Sequence, residues 1–233
     1  MKSINLKWVF PIAIALITIG VISCQKDLSG DIPNNAPLPD LTSKVASTVS
    51  GFVTDENNAA VQGASVQVGN ITVTTDAFGY FAVYNTQVTK NAAVVTVSKA
   101  GYFKGIKTYI AETGKSAFFR IKLIPKSTSG SFDAATGGTV SASGGLSILF
   151  PANAIVNASS NAAYSGNVNV AVHWINPAAT DLPQVMPGDL RGLDEDGYLK
   201  VLTTYGMAAV EMTGSGGELL QIATGSKATI TFP

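Results

Sequence analysis

Past residue 45 the chain is written in short runs whose apolar and polar side chains alternate, each run closed by Gly, Asn or Asp. No apolar stripe at a 3.6-residue period lasts long enough to hold a helix. A period of two admits only strands with one face buried, so the architecture must be built from short β elements and tight turns. Val49-Ser50-Gly51-Phe52-Val53 alternates, Asp55-Glu56-Asn57-Asn58 turns the chain, and Ala64-Ser65-Val66-Gln67-Val68 alternates again. Gly69-Asn70 then reads as a hairpin loop before Ile71-Thr72-Val73-Thr74, because Gly and Asn tolerate positive φ. After the turn Asp76-Ala77-Phe78-Gly79, Phe81 and Val83 face one side of a strand, with Tyr80, Ala82 and Tyr84 on the other. Runs at 94–97, 106–110 and 118–123 complete the first group. Farther on, residues 166–174 place Val168, Val170, Val172 and Trp174 on one face, against Asn167, Asn169 and His173. The single cysteine, Cys24, rules out an intrachain disulfide, so burial of apolar surface must carry the fold.

These runs predict an all-β fold of two tandem β-sandwich domains, at 46–125 and 130–233, with the composition shift between them at the Ser/Gly-rich stretch 127–131. Four blocks of the first, Gly51-Phe52-Val53-Thr54-Asp55, Val61-Gln62-Gly63-Ala64-Ser65-Val66, Thr74-Thr75-Asp76 with Gly79-Tyr80-Phe81, and Lys99-Ala100-Gly101-Tyr102, resemble the carboxypeptidase regulatory-like domain. That resemblance implies a transthyretin-like sandwich, an accessory module that is not itself catalytic. In the second, Gly137-Gly138 followed by Leu146-Ser147-Ile148-Leu149-Phe150-Pro151-Ala152-Asn153-Ala154-Ile155 resembles the opening of ZU5-like β domains, which implies a structural or interaction role. The run 227–232 reads as a strand, and the resemblance leads to the expectation of further strands after it.

The first residues carry an address. Lys2 and Lys7 precede an uncharged apolar stretch interrupted by Pro11, and Val21-Ile22-Ser23-Cys24 closes it. A membrane-spanning helix needs about 20 apolar residues, and this core is shorter. The pattern resembles the lipobox of bacterial lipoproteins, which implies a signal peptide at 1–23, a lipid thioether on Cys24 and attachment to the membrane. Residues 24–45, with Pro33, Pro37 and Pro39, are expected to form an extended tether. Gln25 after the cysteine implies sorting to the outer membrane, and Cys24-Gln25-Lys26-Asp27 resembles a short signal for cell-surface display.

Fifteen basic residues balance fifteen acidic ones, and no basic stripe exists, which argues against a nucleic-acid partner. Asp194-Glu195-Asp196-Gly197, with Asp189 and Asp181 nearby, offers oxygens to a cation, and Asp194, Asp196 and Asp189 are the candidate ligands. The frame of a calcium loop is missing, and a type I′ hairpin turn explains Asp-Gly more simply. His173 is the only histidine and no nucleophile-elbow pattern accompanies it, so no catalytic residue or cofactor is assigned. Tyr80 and Tyr84 share a strand face and could form a platform for sugar rings, the alternative being packing between domains or at a sheet edge. Trp174 reads as core. The expectation is a non-enzymatic outer-membrane lipoprotein that binds another envelope protein or a glycan. The alternative is an accessory front part of a longer enzyme or transport component.

Overall fold

The computed structural model describes residues 38–233, so the expected signal peptide, Cys24 and most of the expected tether lie outside the described residues. Those 38–233 form one compact unit, almost entirely of strands. Among them no helix is long and apolar enough to cross a membrane.

The first group contains β1 (Lys44–Thr54), β2 (Ser65–Val68), β3 (Ile71–Thr74), β4 (Tyr80–Thr89), β5 (Ala93–Ser98), β6 (Gly105–Tyr109) and β7 (Ser116–Lys122). They make two sheets, β4-β1-β7 and β3-β2-β5-β6, with β1 and β7 parallel and every other pair antiparallel. Alternation decides the core: Val49, Val53, Phe81, Val83 and Ile121 of the first sheet meet Val66, Val68, Val95 and Val97 of the second in one buried cluster. Each fully buried Val or Phe contributes about 1.5–3 kcal/mol by leaving water. Gly51 is required where it stands, because a Cβ there would lie 2.2 Å from the Phe119 carbonyl oxygen on the parallel neighbour. Thr75 ties the turns together; its hydroxyl donates to the Val61 carbonyl at 2.6 Å and accepts from the Ala64 amide at 2.8 Å.

The turns follow their sequence chemistry. Gly69 alone of the Gly69-Asn70 loop has positive φ, as a type II′ hairpin needs. Asp55 accepts from the amides of Asn57 and Ala59, and Asp76 from those of Phe78 and Tyr80. The tail of the expected tether is held as well. The Asp40 carboxylate accepts from Thr42 and Ser43, its carbonyl accepts from Asn91, and β1 already begins at Lys44.

The second group contains β8 (Thr128–Asp133), β9 (Gly138–Ser141), β10 (Ser147–Phe150), β11 (Ile155–Asn157), β12 (Asn167–Ile175), a single helical turn α1 (Leu182–Val185), β13 (Arg191–Leu193), β14 (Leu199–Val201), β15 (Met207–Thr213), β16 (Leu219–Ile222) and β17 (Thr229–Thr231). A five-stranded sheet, β11-β16-β15-β12-β8, and a three-stranded sheet, β17-β10-β9, share a core that includes Phe132, Leu146, Ile148, Phe150, Val168 and Val170. Trp174 packs into this cluster, over Gly144, where a Cβ would come within 2.4 Å of its ring.

The stretch 127–131, where the composition shifts, leads into β8. The β8–β12 register shifts between Val170 and Ala171, and the Ser129 hydroxyl bridges the gap by accepting from the Val172 amide and donating to its carbonyl, both at 3.0 Å. A serine side chain thus replaces ladder bonds, which is why hydropathy did not mark the strand.

The two groups are joined by more than the chain. Phe103 and Ile124 of the first cluster with Ala171 and Ile175 of β12, under Leu182 and Val185 of α1. Lys107 on β6, 5% exposed, donates to the carbonyls of Pro183 at 2.8 Å and Met186 at 2.6 Å. Lys122 pairs with Asp181 and Lys126 with Glu211, each at 2.7 Å.

Candidate functional site: an aromatic sheet face

The inward faces of β4, β1 and β7 are used up by the core, and the outward faces carry an unusual density of rings. Cross-strand register sets the layout. Phe52 on the central strand lies opposite Tyr80 on one side and Arg120 on the other; one step along, Ser50 lies between Ala82 and Phe118. Because β1 and β7 are parallel, Phe118 and Arg120 arrive at this face from a distant part of the sequence. The Phe52 and Tyr80 rings are 5.3 Å apart at 56°, and those of Phe52 and Phe118 are 6.2 Å apart at 68°. Phe118 is 54% exposed, Tyr84 69%, Tyr80 36%, and Phe78, on the turn leading into β4, 76%. Burying such rings is favourable, so several left open on one face make it the candidate site. The Asp76 carboxylate fixes the start of β4 by holding the amides of Phe78 and Tyr80, both at 2.9 Å.

The structure thus puts Tyr80 and Tyr84 on one exposed face. Packing against a neighbouring ring involves Tyr80 alone, through Phe52 of the same sheet. It adds Phe52, Phe118 and Arg120, which sequence reasoning missed. The alternation of β1 showed which way Phe52 points, but nothing local reveals that β7 lies beside it.

The acidic candidates do not converge on one point among the described residues. Asp194 accepts from the Tyr198 amide at 2.8 Å and pairs with Lys200 at 3.3 Å, closing the β13–β14 turn. Only Gly197 in that turn has positive φ, so it is not the type I′ geometry expected, which needs two such residues. Asp196 is exposed. Asp189 accepts from Arg191 Nε at 2.6 Å; burial pushes its carboxyl up, and the bonds from Arg191 and Thr108 outweigh this and hold it below the usual carboxylate range. Among the described residues no three His, Cys, Asp or Glu side chains gather in a way that could hold a metal ion.

His173 is half-buried, unlike the surface histidine that its strand position suggested, because the first group of strands covers that face of β12. Burial pushes its pKa down. It lines a hollow of about 230 Å³ together with Leu123, Ile124, Ile175 and Val185, and the Lys122–Asp181 pair borders it. Glu56 and Asn176 line it as well, and among the described residues no serine or cysteine does.

No family model matches the chain and no curated protein matches it. Among solved structures, it is similar to the TIE protein of Bacillus anthracis at 14% identity and a TM-score of 0.30, over 80% of this chain and 28% of that one. It therefore spans little more than a quarter of that protein's length. It is similar to a Bacteroides uniformis protein provisionally described as carbohydrate binding, at 7% identity and a TM-score of 0.28, over 81% of this chain and all of that one. A Bacteroides fragilis protein of unknown function, provisionally described as membrane-associated, matches at 10% identity and a TM-score of 0.28, over 82% of this chain and 98% of that one. The functional reading rests on the residues of the site itself.

Proposed function

We propose that this chain is a non-catalytic binding module, held at the bacterial outer membrane by a lipid on Cys24, and that its β4-β1-β7 face takes a surface polysaccharide. The observation that carries the reading is the set of rings, Tyr80, Phe52, Phe118 and Tyr84, on one side of a rigid sheet whose other side is buried in the core. Aromatic rings present broad apolar faces, and the C–H faces of sugars dock on them at little entropic cost because the side chains have few rotatable bonds.

The test is affinity electrophoresis of the full chain through gels containing bacterial polysaccharides, comparing wild type with Phe118→Ala and Tyr84→Ala. Each ring is worth about 1 kcal/mol, so each variant should lose roughly five-fold in affinity and the pair more than ten-fold. A polymer that retards wild type and both variants equally would refute the assignment to this face, and retardation by no polymer would refute glycan binding. Separately, labelled palmitate should enter wild type and not Cys24→Ser; a wild type without label would remove the lipid anchor.

A further inference from the structure

Three features of the aromatic face narrow its ligand. The first is the row Tyr80–Phe52–Arg120. Strands are spaced about 4.8 Å apart, so Arg120 follows the two rings at about 10 Å from Tyr80, where the next sugar of a chain stacked across the row would lie. The second is charge. The three strands contain no Asp or Glu, and their basic residues are Lys44, Arg120 and Lys122. Lys122 is paired with Asp181, and Lys44 keeps its charge but stands at the end of β1 away from Phe52, where it donates to the Thr89 hydroxyl; Arg120, beside Phe52, is exposed and forms no ion pair among the described residues. An arginine beside stacking rings presents a fork of donors suited to carboxylate or sulfate. The third is ring orientation. Planes inclined at 56° and 68° cannot lie flat on a crystalline polymer surface, but they suit the successive facets of one twisted chain.

We infer that the ligand of this face is a single soluble polysaccharide chain bearing acidic groups, uronate or sulfate, one of which is bound by Arg120 while neighbouring sugars stack on Phe52, Tyr80 and Phe118. This rests on the glycan reading above and specifies its chemistry. Because the ion pair is exposed, it supplies selectivity more than affinity, and salt weakens it.

The full chain is titrated with polygalacturonate and its carboxyl-reduced neutral form, and with dextran sulfate and dextran, at low and at moderate salt. The expected result is a three- to five-fold preference for one or both acidic polymers over their neutral counterparts at low salt, an effect of the size one exposed ion pair supplies. The first polymer pair reports uronate and the second sulfate. Arg120→Gln should bring the preference close to unity, and Arg120→Lys should keep most of it. Equal binding of acidic and neutral forms by wild type, or a preference that survives in Arg120→Gln, would overturn the inference while leaving glycan binding intact. Binding of none of the four polymers would overturn it too, and retardation by other polysaccharides in the ring-variant experiment would show whether the broader reading falls with it.

Discussion

Lys107 connects the two sandwiches at a point where pH can be used to weigh the connection. Its ammonium is buried under α1 and burial pushes its pKa down to about 8, from an ordinary lysine value of 10.5. A displacement of that size corresponds to about 3 kcal/mol, a ceiling, since the two carbonyls that accept from Nζ favour the charged form. The sign follows from proton binding. Below pH 8 folded and unfolded chains both carry the proton and the burial cost is constant. Between about pH 8 and 10.5 the unfolded chain binds more protons than the folded one, so stability rises with pH in that window. By pH 9.5 the gain over pH 7 should approach about 2 kcal/mol. Burial pushes the pKa values of Tyr102 and Tyr109 above 10, so the unfolded chain gives up these protons first and they oppose the gain toward the upper end of that window; both are shared by wild type and variant and drop out of the comparison. The measurement is urea unfolding of wild type and Lys107→Met at half-unit steps from pH 7 to 9.5. At pH 7 the variant loses two bonds from a charged donor, about 3–6 kcal/mol in all, but escapes the burial cost, so the net loss should lie between about zero and 3 kcal/mol. The decisive quantity is the difference between the two pH profiles. If wild type and variant run parallel, Lys107 is not buried as a charged group and the reasoning fails.

Thr75→Val keeps the shape of the side chain but strands the Ala64 amide and the Val61 carbonyl; it should cost about 2–4 kcal/mol in denaturant unfolding, with Thr75→Ser clearly less. Gly51→Ala drives a methyl against the Phe119 carbonyl and the Phe81 ring, so it should lower the melting temperature by the equivalent of at least about 1–3 kcal/mol; an unchanged melt would mean that β1 and β7 are not so closely paired. Ser129→Ala removes the bridge across the β8–β12 register shift and should cost about 1–2 kcal/mol, read by the same unfolding assay. At the acid end, the hydrogen bond from Lys122 holds the Asp181 carboxyl below its ordinary range, so its contribution fades as pH falls through that lowered value. Asp181→Asn should flatten the acid limb of the stability profile relative to wild type.

Strands and turns were legible because their causes are local. Alternation placed Phe81 and Val83 inward and Tyr80 and Tyr84 outward, and the structure agrees. Asp55 and Asp76 were readable as turn residues because a short carboxylate accepts from amides two and four positions on. Where a strand depends on a side chain filling a register shift, as Ser129 does in β8, alternation left no mark and composition showed only a shift between two groups of strands. His173 looked like a surface residue because one strand cannot tell which of its faces another group of strands will cover.

By itself, then, the sequence determined an all-β chain, the positions of most of its strands, the direction in which each side chain leaves its strand, and a single thiol following an apolar stretch. Only the tertiary structure decided that β7 runs parallel beside β1, bringing Phe118 and Arg120 next to Phe52 and Tyr80 and turning two tyrosines into a charged aromatic face. Side-chain direction is fixed within a residue or two by the pleat, whereas the pairing of distant strands is chosen by the burial of both sheets at once, and no local stretch of sequence contains that information.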